Sequence, residues 1–313
     1  MNVITLMGPT ASGKTQLAMH LNDHFDSEII SVDSAMIYKG MDIGTAKPTP
    51  DELKAYPHHL IDLIEPNQTF SVSDFLSATK PIIDQCHQNK KIPILVGGTM
   101  MYFNAFMHGL TELPKADELI RGKLIEEAEN NGLAYLYQKL SEVDQKSVKN
   151  IKATDAQRII RALEVYYITS KPMSQLWQDA KSYALASQYN VTQIGLFPHN
   201  RSCLHQLIAK RFDQMIESGF IDEVKKLFVR EDLNDALPSI RCVGYRQMWQ
   251  HLQGKLSYTE AVEKSIIATR QLAKRQITWM RHWQSPIQVF DPFVDGLKLK
   301  SKVMNYLGEK IVI

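Results

Sequence analysis

The stretch VITLMGPTASGKTQLAMHLNDHF, residues 3–25, decides the fold of this chain. Its apolar start, residues 3–7, predicts a buried strand, and residues 16–25 have the mixed polar and apolar pattern of an amphipathic helix. Between them, GPTASGKT (residues 8–15) matches G-x-x-x-x-G-K-[ST] at every defined position. Because a strand precedes the match and a helix follows it, the sequence predicts a P-loop.

A P-loop binds polyphosphate through its backbone. Its glycines let successive N–H groups converge on one point, and the following helix adds its positive N-terminal end. Lys14 contributes a point charge, and the Thr15 hydroxyl can hold Mg²⁺, which makes Thr15 the metal candidate. We expect a di- or triphosphate to bind at Gly8, Pro9, Thr10, Ala11, Ser12, Gly13, Lys14 and Thr15. The motif alone does not specify the ligand or the reaction.

Composition excludes several classes of protein. The chain has 313 residues, 44% hydrophobic and 22% charged, which is typical of a globular protein large enough for two lobes. No apolar run approaches the roughly 20 residues that span a bilayer, and no basic segment marks a signal peptide. Cys86, Cys203 and Cys242 form no C-x-x-C pair. We therefore expect neither a zinc site nor a disulfide framework, and we expect a cytoplasmic protein.

Two further strands are predicted to end in polar side chains. Residues 28–32 form a β-branched strand that ends at Asp33, and residues 92–96 form a strand followed by Gly97, Gly98 and Thr99. Carboxyl ends of parallel strands meet at one rim of a sheet, so Asp33 and Thr99 are expected beside the P-loop. Asp33 is equally suited to cap its own turn, and Thr99 to cap the helix that follows.

The order of elements predicts two parts. Residues up to about 113 alternate strand and helix, which predicts an α/β fold with a parallel sheet flanked by helices, as in P-loop NTPases. Helical periods then dominate, including a capping-box spacing at Thr154-x-x-Gln157, before strands return at residues 191–197 and 286–290. We expect residues 1–115 and 190–313 to form the P-loop core with C-terminal helices. Residues 116–189 are expected to form an all-helical insertion domain.

Local basic clusters stand out against a net charge of only +2. Arg158 and Arg161 share a helical face, Arg241 and Arg246 flank a glycine, and residues 264–283 carry five Lys or Arg and no Asp or Glu. For any one of these basic residues, the simplest explanation is a solvated position on the protein surface. Together they favour a groove between the lobes for a phosphate backbone. On the long helix predicted to end near residue 283, Arg270, Lys274 and Arg281 form a basic stripe. Trp279 and Trp283 lie opposite this stripe and are predicted to be in the core.

Several motifs together resemble the tRNA dimethylallyltransferase, or tRNA isopentenyltransferase, family of the bacterial type. The resemblance covers nearly the whole chain, and DSAMIY, MDIGTAKP, LVGGT and RCVGYRQ in this order are its most specific parts. The matching stretches are GPTASGKT (8–15), SVDSAMIYKGMDIGTAKP (31–48), PILVGGTMMYF (93–103), DAQRIIRALEV (155–165), Arg211-Phe212, IRCVGYRQ (240–247) and ATRQLAKRQITWMR (268–281).

The resemblance implies a reaction and its participants. A dimethylallyl group would move from dimethylallyl diphosphate, held by the P-loop with Mg²⁺, to the exocyclic amine of the adenine 3′ of the anticodon in tRNA. Asp33 would be the general base, and Thr99 and Arg211 would assist the diphosphate. The enzyme would be a monomer that binds the anticodon stem-loop of tRNA and does not associate with a membrane. The implied tRNA contacts are Asp33, Ser34, Ala35, Met36, Arg121, Gln157, Arg158, Ile159, Ile160, Arg161, Arg241, Cys242, Val243, Gly244, Tyr245 and Arg246.

Two other functions share some of these features. A P-loop small-molecule kinase has the same cradle and a strand-end Asp, but the sequence shows no Arg-rich lid, and its nearest Walker-B candidate is Asp62 in LIDLIEP. An RNA-binding regulator gated by a nucleotide needs paired switch motifs around a γ-phosphate, which the sequence does not show.

Overall fold

The computed structural model describes residues 1–111, 113–179 and 184–311. The chain forms two compact units, one of Met1–Met107 with Leu185–Ile313 and one of His108–Ala184. The predicted insertion was 116–189, so the second unit starts eight residues earlier and ends five residues earlier than predicted. Residues 180–183 of the predicted insertion lie outside the described residues.

Within the described residues, six strands form one sheet in the order β3-β2-β4-β1-β5-β6, and every neighbouring pair is parallel. This confirms the predicted fold class, with a helical insertion in the chain. The last strand in the chain lies at an edge of the sheet. The strands are β1 (Asn2–Met7), β2 (Ser27–Val32), β3 (His58–His59), β4 (Ile92–Gly97), β5 (Asn190–Leu196) and β6 (Gln288–Phe290).

Helices flank the sheet and build the second unit, which contains α5 to α9. In chain order the helices are α1 (Lys14–Asn22), α2 (Pro50–Ala55), α3 (Val72–Gln88), α4 (Met100–His108), α5 (Glu118–Asn131), α6 (Leu133–Val143), α7 (Gln145–Val148), α8 (Ala156–Thr169), α9 (Met173–Asp179), α10 (Arg201–Glu217), α11 (Phe220–Phe228), α12 (Tyr245–Leu252), α13 (Tyr258–Arg281), α14 (Pro292–Asp295) and α15 (Leu299–Lys310). In the described part of the chain, none of them has the length and apolar character needed to cross a membrane.

Strand β1 is buried on both faces, which explains its uninterrupted apolar sequence. Ile4 and Leu6 pack in a cluster with residues of α1 and α15, whereas Val3 and Met7 pack in a cluster with residues of α3 and α4. Side chains alternate between the faces of a strand, so both faces need apolar residues when helices cover both.

The position of β4 between β1 and β2 builds the rim that carries the site. Gly97 is aligned with Met7 on one side and with Val32 on the other. The residues that follow these three strands therefore leave the sheet at one edge, side by side. They are the P-loop, Asp33, and the turn of Gly98 and Thr99.

The second unit has its own apolar core. Leu136, Leu140 and Leu163 are fully buried in it. The N-cap of α8 is Asp155, whose carboxylate accepts a hydrogen bond from the Arg158 N–H at 3.2 Å. The predicted capping box at Thr154 is therefore wrong by one residue, because the Asp155 carboxylate satisfies a free helix N–H and suits the positive end of the helix.

Candidate active site

A cavity of about 650 Å³ opens at this rim within the first unit. Its walls come from the P-loop, the segment after β2, the turn after β4, and helices α10 and α13. The volume is within the roughly 300–1,000 Å³ usual for small-ligand sites.

The P-loop forms the floor of an anion site. Gly13 has φ of 83°, a left-handed conformation that glycine adopts without strain, and it is the N-cap of α1. The first N–H groups of α1, including those of Lys14 and Thr15, have no partner within the helix and suit an anion. The Ser12 hydroxyl is buried and has no hydrogen-bond partner among the described residues. These groups fit a polyphosphate.

The predicted diphosphate-binding residues divide into those that line the cavity and those that shape the turn. Thr10, Ala11, Lys14 and Thr15 line the cavity. The remaining residues shape the turn, with Gly8, Pro9 and Ser12 buried and Gly13 exposed.

Three charged side chains interact at the cavity wall. Burial lowers the pKa of Lys14 to about 8, although Asp33 opposes this shift and Arg211 adds to it. Burial also lowers the pKa of Arg211, again opposed by Asp33. The Lys14 ammonium donates to the Pro9 carbonyl at 2.7 Å, and Arg211 donates to the Ala46 carbonyl at 3.4 Å. Two cations with one neighbouring carboxylate suit a multiply charged anion.

Asp33 both caps a turn and faces the cavity, so neither sequence interpretation excludes the other. Its Oδ1 accepts from the N–H of Ala35 at 2.9 Å and of Met36 at 3.4 Å. Within the described residues, the hydrogen bonds of this carboxylate all use Oδ1, which leaves Oδ2 for a ligand. Asp33, Ser34, Ala35 and Met36 all line the cavity.

Thr99 connects the turn after β4 to the turn after β2. Its Oγ1 accepts from the Ser34 N–H at 3.0 Å, and its own N–H donates to the Val32 carbonyl at 3.2 Å. The hydroxyl thus bonds to Ser34 instead of capping α4. Thr99 lines the cavity together with Asp33.

The loop from Gly40 to Pro50 is held by two buried charges that the sequence analysis missed. Glu223 accepts from the N–H groups of Asp42, Ile43 and Gly44 at 2.8–3.1 Å. The Lys47 side chain is 3% exposed and pairs with Asp42 and Asp62. Glu223 is distant in sequence, so only its position on the buried face of α11 could have suggested a structural role.

Helix α13 supplies a wall of the cavity. Trp279 is 41% exposed and lines the cavity with Leu272 and Arg275. The prediction that Trp279 lies in the core is wrong, because Ala273, Ile277 and Met280 form the buried face of the helix. The other tryptophan, Trp283, is partly buried against the core beside α3 and α4.

The buried glutamine of α13 was also missed. Gln276 is 8% exposed, and it bonds both to the P-loop and to the turn after β4. A glutamine among the apolar residues Ala273, Ile277 and Met280 was the available signal, because a buried amide needs partners.

Among the predicted tRNA residues 241–246 of the first unit, some are accessible to a ligand and others are buried. Arg241, Cys242 and Val243 line the cavity, and burial raises the pKa of the Cys242 thiol to about 12. Arg246 is exposed, whereas Gly244 and Tyr245 are buried. The Tyr245 hydroxyl donates to Glu223 at 2.5 Å, which gives this side chain a supporting role.

Two of the predicted tRNA residues of the second unit pair with the buried carboxylate of Glu164. Arg121 and Arg161 pair with it at 2.9 and 2.6 Å. Gln157 and Arg158 are exposed and Ile160 is half-buried. Ile159 is 0% exposed in the core of the unit, so it presents no surface to a ligand, which corrects the prediction for this residue.

The donor set fits Mg²⁺ bound chiefly by a ligand. Among the described residues, no group of three or more His, Cys, Asp or Glu is placed to hold a metal ion. The Thr15 side chain lines the cavity next to Lys14. Mg²⁺ is often bound by one or two protein oxygens, water and substrate phosphates, and Thr15 can supply such an oxygen.

Comparisons with known proteins agree with this site. A family model described as IPP transferase matches residues 36–283. The tRNA isopentenylpyrophosphate transferase of Bacillus halodurans is 37% identical, with 99% of this chain and 96% of that chain covered and a TM-score of 0.72. The tRNA delta(2)-isopentenylpyrophosphate transferase of Staphylococcus epidermidis is 30% identical, with 98% and 99% covered and a TM-score of 0.70.

A eukaryotic dimethylallyltransferase acting on tRNA has the same fold at 23% identity, with 99% of this chain and 80% of that chain covered and a TM-score of 0.81. The family match spans most of the chain, and the similarity to the two bacterial proteins extends over nearly all of it. This chain therefore belongs to the IPP transferase family and is a prenyl-transferring enzyme.

Proposed function

We propose that this prenyltransferase of tRNA moves a dimethylallyl group from dimethylallyl diphosphate to the exocyclic amine of the adenine 3′ of the anticodon. Diphosphate is the second product. The observation that carries the assignment of residues is that Asp33 lines the same cavity as Lys14 of the P-loop. A proton acceptor and an anion cradle are thus available to one reaction centre.

The P-loop end of the cavity receives the leaving group. As the C–O bond of the donor breaks, negative charge builds on the bridging oxygen. The Lys14 ammonium, the Arg211 guanidinium and the N–H groups at the start of α1 stabilise that charge from fixed positions. Mg²⁺ held through Thr15 would supply further neutralisation of the diphosphate.

Asp33 acts on the acceptor. An adenine amine is a poor nucleophile, because its lone pair is delocalised into the ring. As nitrogen bonds to the allylic carbon, Oδ2 of Asp33 takes the amine proton, a contribution typically worth about 10²–10⁴-fold. Oδ1 remains bonded to the N–H groups of Ala35 and Met36, which keeps the carboxylate oriented.

The apolar wall protects the reacting carbon. Ile208, Phe212, Met215 and Leu272 line the cavity. The allylic carbon develops cationic character as the bond to oxygen breaks, and water would capture it. An adenine reaches this centre only after it leaves its stack, which is feasible in the single-stranded anticodon loop.

Exposed arginines supply the tRNA contacts in this proposal. Arg241 lines the cavity, and Arg158 and Arg246 are exposed. They would contact phosphates and fix the register of the anticodon loop. We further propose that the enzyme acts as a monomer and, because tRNA is its substrate, in the cytoplasm.

One assay tests the proposal against its rivals. Unmodified tRNA is incubated with the protein and either labelled dimethylallyl diphosphate or γ-labelled ATP. We expect label in tRNA only from the prenyl donor, and none when guanine replaces the adenine 3′ of the anticodon. Phosphoryl transfer or hydrolysis from ATP without prenylated tRNA would instead identify a kinase or a nucleotide-gated regulator.

The environment of Asp62 disfavours the kinase. This Walker-B candidate lies after the short strand β3 and has φ of 51°. Its carboxylate pairs with Lys47 at 2.6 Å. A carboxylate occupied by a buried lysine is a loop anchor and not a metal ligand.

A further inference from the structure

Gln276 of α13 bonds to two separate loops of the site. Its Oε1 accepts from the N–H of Thr10 in the P-loop at 2.9 Å. Its Nε2 donates to the carbonyl of Gly98, in the turn after β4, also at 2.9 Å. One buried amide therefore connects the loop that receives diphosphate to the turn that carries Thr99.

The connection continues to the proton acceptor. Thr99 follows Gly98 directly, and its Oγ1 accepts from the Ser34 N–H at 3.0 Å. Ser34 follows Asp33. Thr10, Gln276, Gly98, Thr99 and Ser34 thus form a continuous path of hydrogen bonds and peptide bonds between the diphosphate loop and Asp33.

We propose that Gln276 is a positioning residue that holds the diphosphate loop and the Thr99 turn at a fixed separation. This inference rests on the proposed function, in which the leaving diphosphate and the base Asp33 act in one step. A displacement of about 1 Å between reacting groups can cost about 10²-fold in rate. A clamp between their two loops is therefore a direct contribution to the rate.

The side chain is suited to this role because a glutamine amide carries a donor and an acceptor at one end. A buried donor or acceptor without a partner is costly, so both loops are held as long as the amide stays buried. The bond to Gln276 also accounts for the Thr10 N–H. It is directed at Gln276, so the anion is bound by later N–H groups of the loop.

A substitution at Gly98 should break the Gln276 hydrogen bonds without changing Gln276 itself. A Cβ added at Gly98 would lie 2.3 Å from Gln276 Nε2 and 3.3 Å from the Gly8 carbonyl oxygen. The nearer atom is the end of a flexible side chain, and Gly98 does not have positive φ. Gly98→Ala should therefore displace the amide while both glutamine and backbone remain.

The test compares four single variants of the full-length enzyme and the double variant that combines Gln276→Met with Gly98→Ala. Gln276→Met removes both hydrogen bonds at similar volume, Gln276→Glu keeps only the acceptor, and Gly98→Ala displaces the amide. Gln271→Met, at an exposed position of the same helix, is the matched control. The measurements are urea unfolding, the Kd of inorganic pyrophosphate with Mg²⁺, the Kd of tRNA, and the single-turnover rate at saturating substrates.

For Gln276→Met and Gly98→Ala we expect a rate about 10- to 100-fold lower and pyrophosphate binding about tenfold weaker, with the Kd of tRNA within twofold of wild type. The double variant should be no slower than the worse single variant, because both changes break one clamp. Gln271→Met should behave as wild type.

Gln276→Glu supplies a signature that loss of packing would not produce. Its carboxylate faces the Gly98 carbonyl and is buried, which raises its pKa. Protonation restores a donor to Gly98. The rate of this variant relative to wild type should therefore rise as the pH falls from 8 to 6.

The outcomes distinguish a failure of the Gln276 proposal from a failure of the proposed prenyl transfer. If wild type does not prenylate tRNA, the proposed function fails, and pyrophosphate affinity alone decides the clamp. If Gln276→Met does not fold, Gly98→Ala and Gln276→Glu decide it. Rates and pyrophosphate affinities within twofold of wild type in the folded variants, or a pH-independent ratio for Gln276→Glu, overturn the proposal.

Discussion

Raising the pH from 7 to 9 should weaken the binding of dimethylallyl diphosphate about tenfold through a single lysine. Burial lowers the pKa of Lys14 from 10.5 to about 8. Only the charged ammonium attracts the diphosphate, and this charge is lost as the pH rises through the lowered pKa. About nine-tenths of the lysine is charged at pH 7 and about one-tenth at pH 9, which sets the tenfold limit.

Binding should also take up protons. A bound diphosphate stabilises the charged ammonium and raises its pKa, so the complex is protonated where the free enzyme is half neutral. At pH 8 the uptake should be about half a proton per ligand, and it should be near zero at pH 7. An ordinary exposed lysine, charged throughout this range, would show no uptake.

Calorimetry without tRNA measures both quantities. Dimethylallyl diphosphate is titrated at pH 7, 8 and 9 in pairs of buffers with different ionisation enthalpies. Lys14→Met is the control, and its weaker binding should vary little with pH and take up no proton at pH 8. A wild-type affinity that is constant from pH 7 to 9, with no proton uptake at pH 8, would refute the reasoning.

The remaining predictions concern the base, the tRNA surface and the loop anchor. Asp33→Asn keeps the Oδ1 acceptor of the turn but removes the base, so the single-turnover rate should fall about 10²–10⁴-fold with tRNA affinity within threefold; an unchanged rate removes Asp33 as base. Arg241→Ala should reduce the slope of log Kd for tRNA against log salt by about one, and an unaltered slope excludes a phosphate contact. Glu223→Gln should lower the free energy of unfolding in urea by roughly 2–4 kcal/mol, because donors from the Asp42–Gly44 backbone and Tyr245 meet an amide; Glu217→Gln, at an exposed position, should have little effect.

Burial decided which predicted contact residues present a surface. In DAQRIIRALEV, residues 155–165, the spacing identifies a helix, but Ile159 packs into the core while Gln157 and Arg158 are exposed. A resemblance marks a segment as a whole, whereas a helix turns each successive side chain to a different face. The same reason separates the exposed Arg241 from the fully buried Tyr245, although both line the cavity.

Helix α13 shows the limit of reasoning from one helical wheel. The basic stripe suggested that the tryptophans opposite it are buried. In the structure this helix has a core face and a cavity face, and Trp279 belongs to the latter. An apolar side chain on a wheel does not reveal whether its neighbours are packed protein or a cavity, because the wheel contains only the residues of the helix itself.

The sequence by itself determined the P-loop, the parallel α/β class and the presence of a helical insertion. Each depends on local backbone preferences and on hydrophobic periods of a few residues, which neighbouring amino acids dictate. The strand order also placed Asp33 and Thr99 at the rim beside the P-loop, but only the tertiary structure decided that Trp279 lines their cavity and that Gln276 joins their loops. Those contacts arise because β4 lies between β1 and β2 and because α13 packs against their ends, an arrangement of segments up to 266 residues apart that no local pattern encodes.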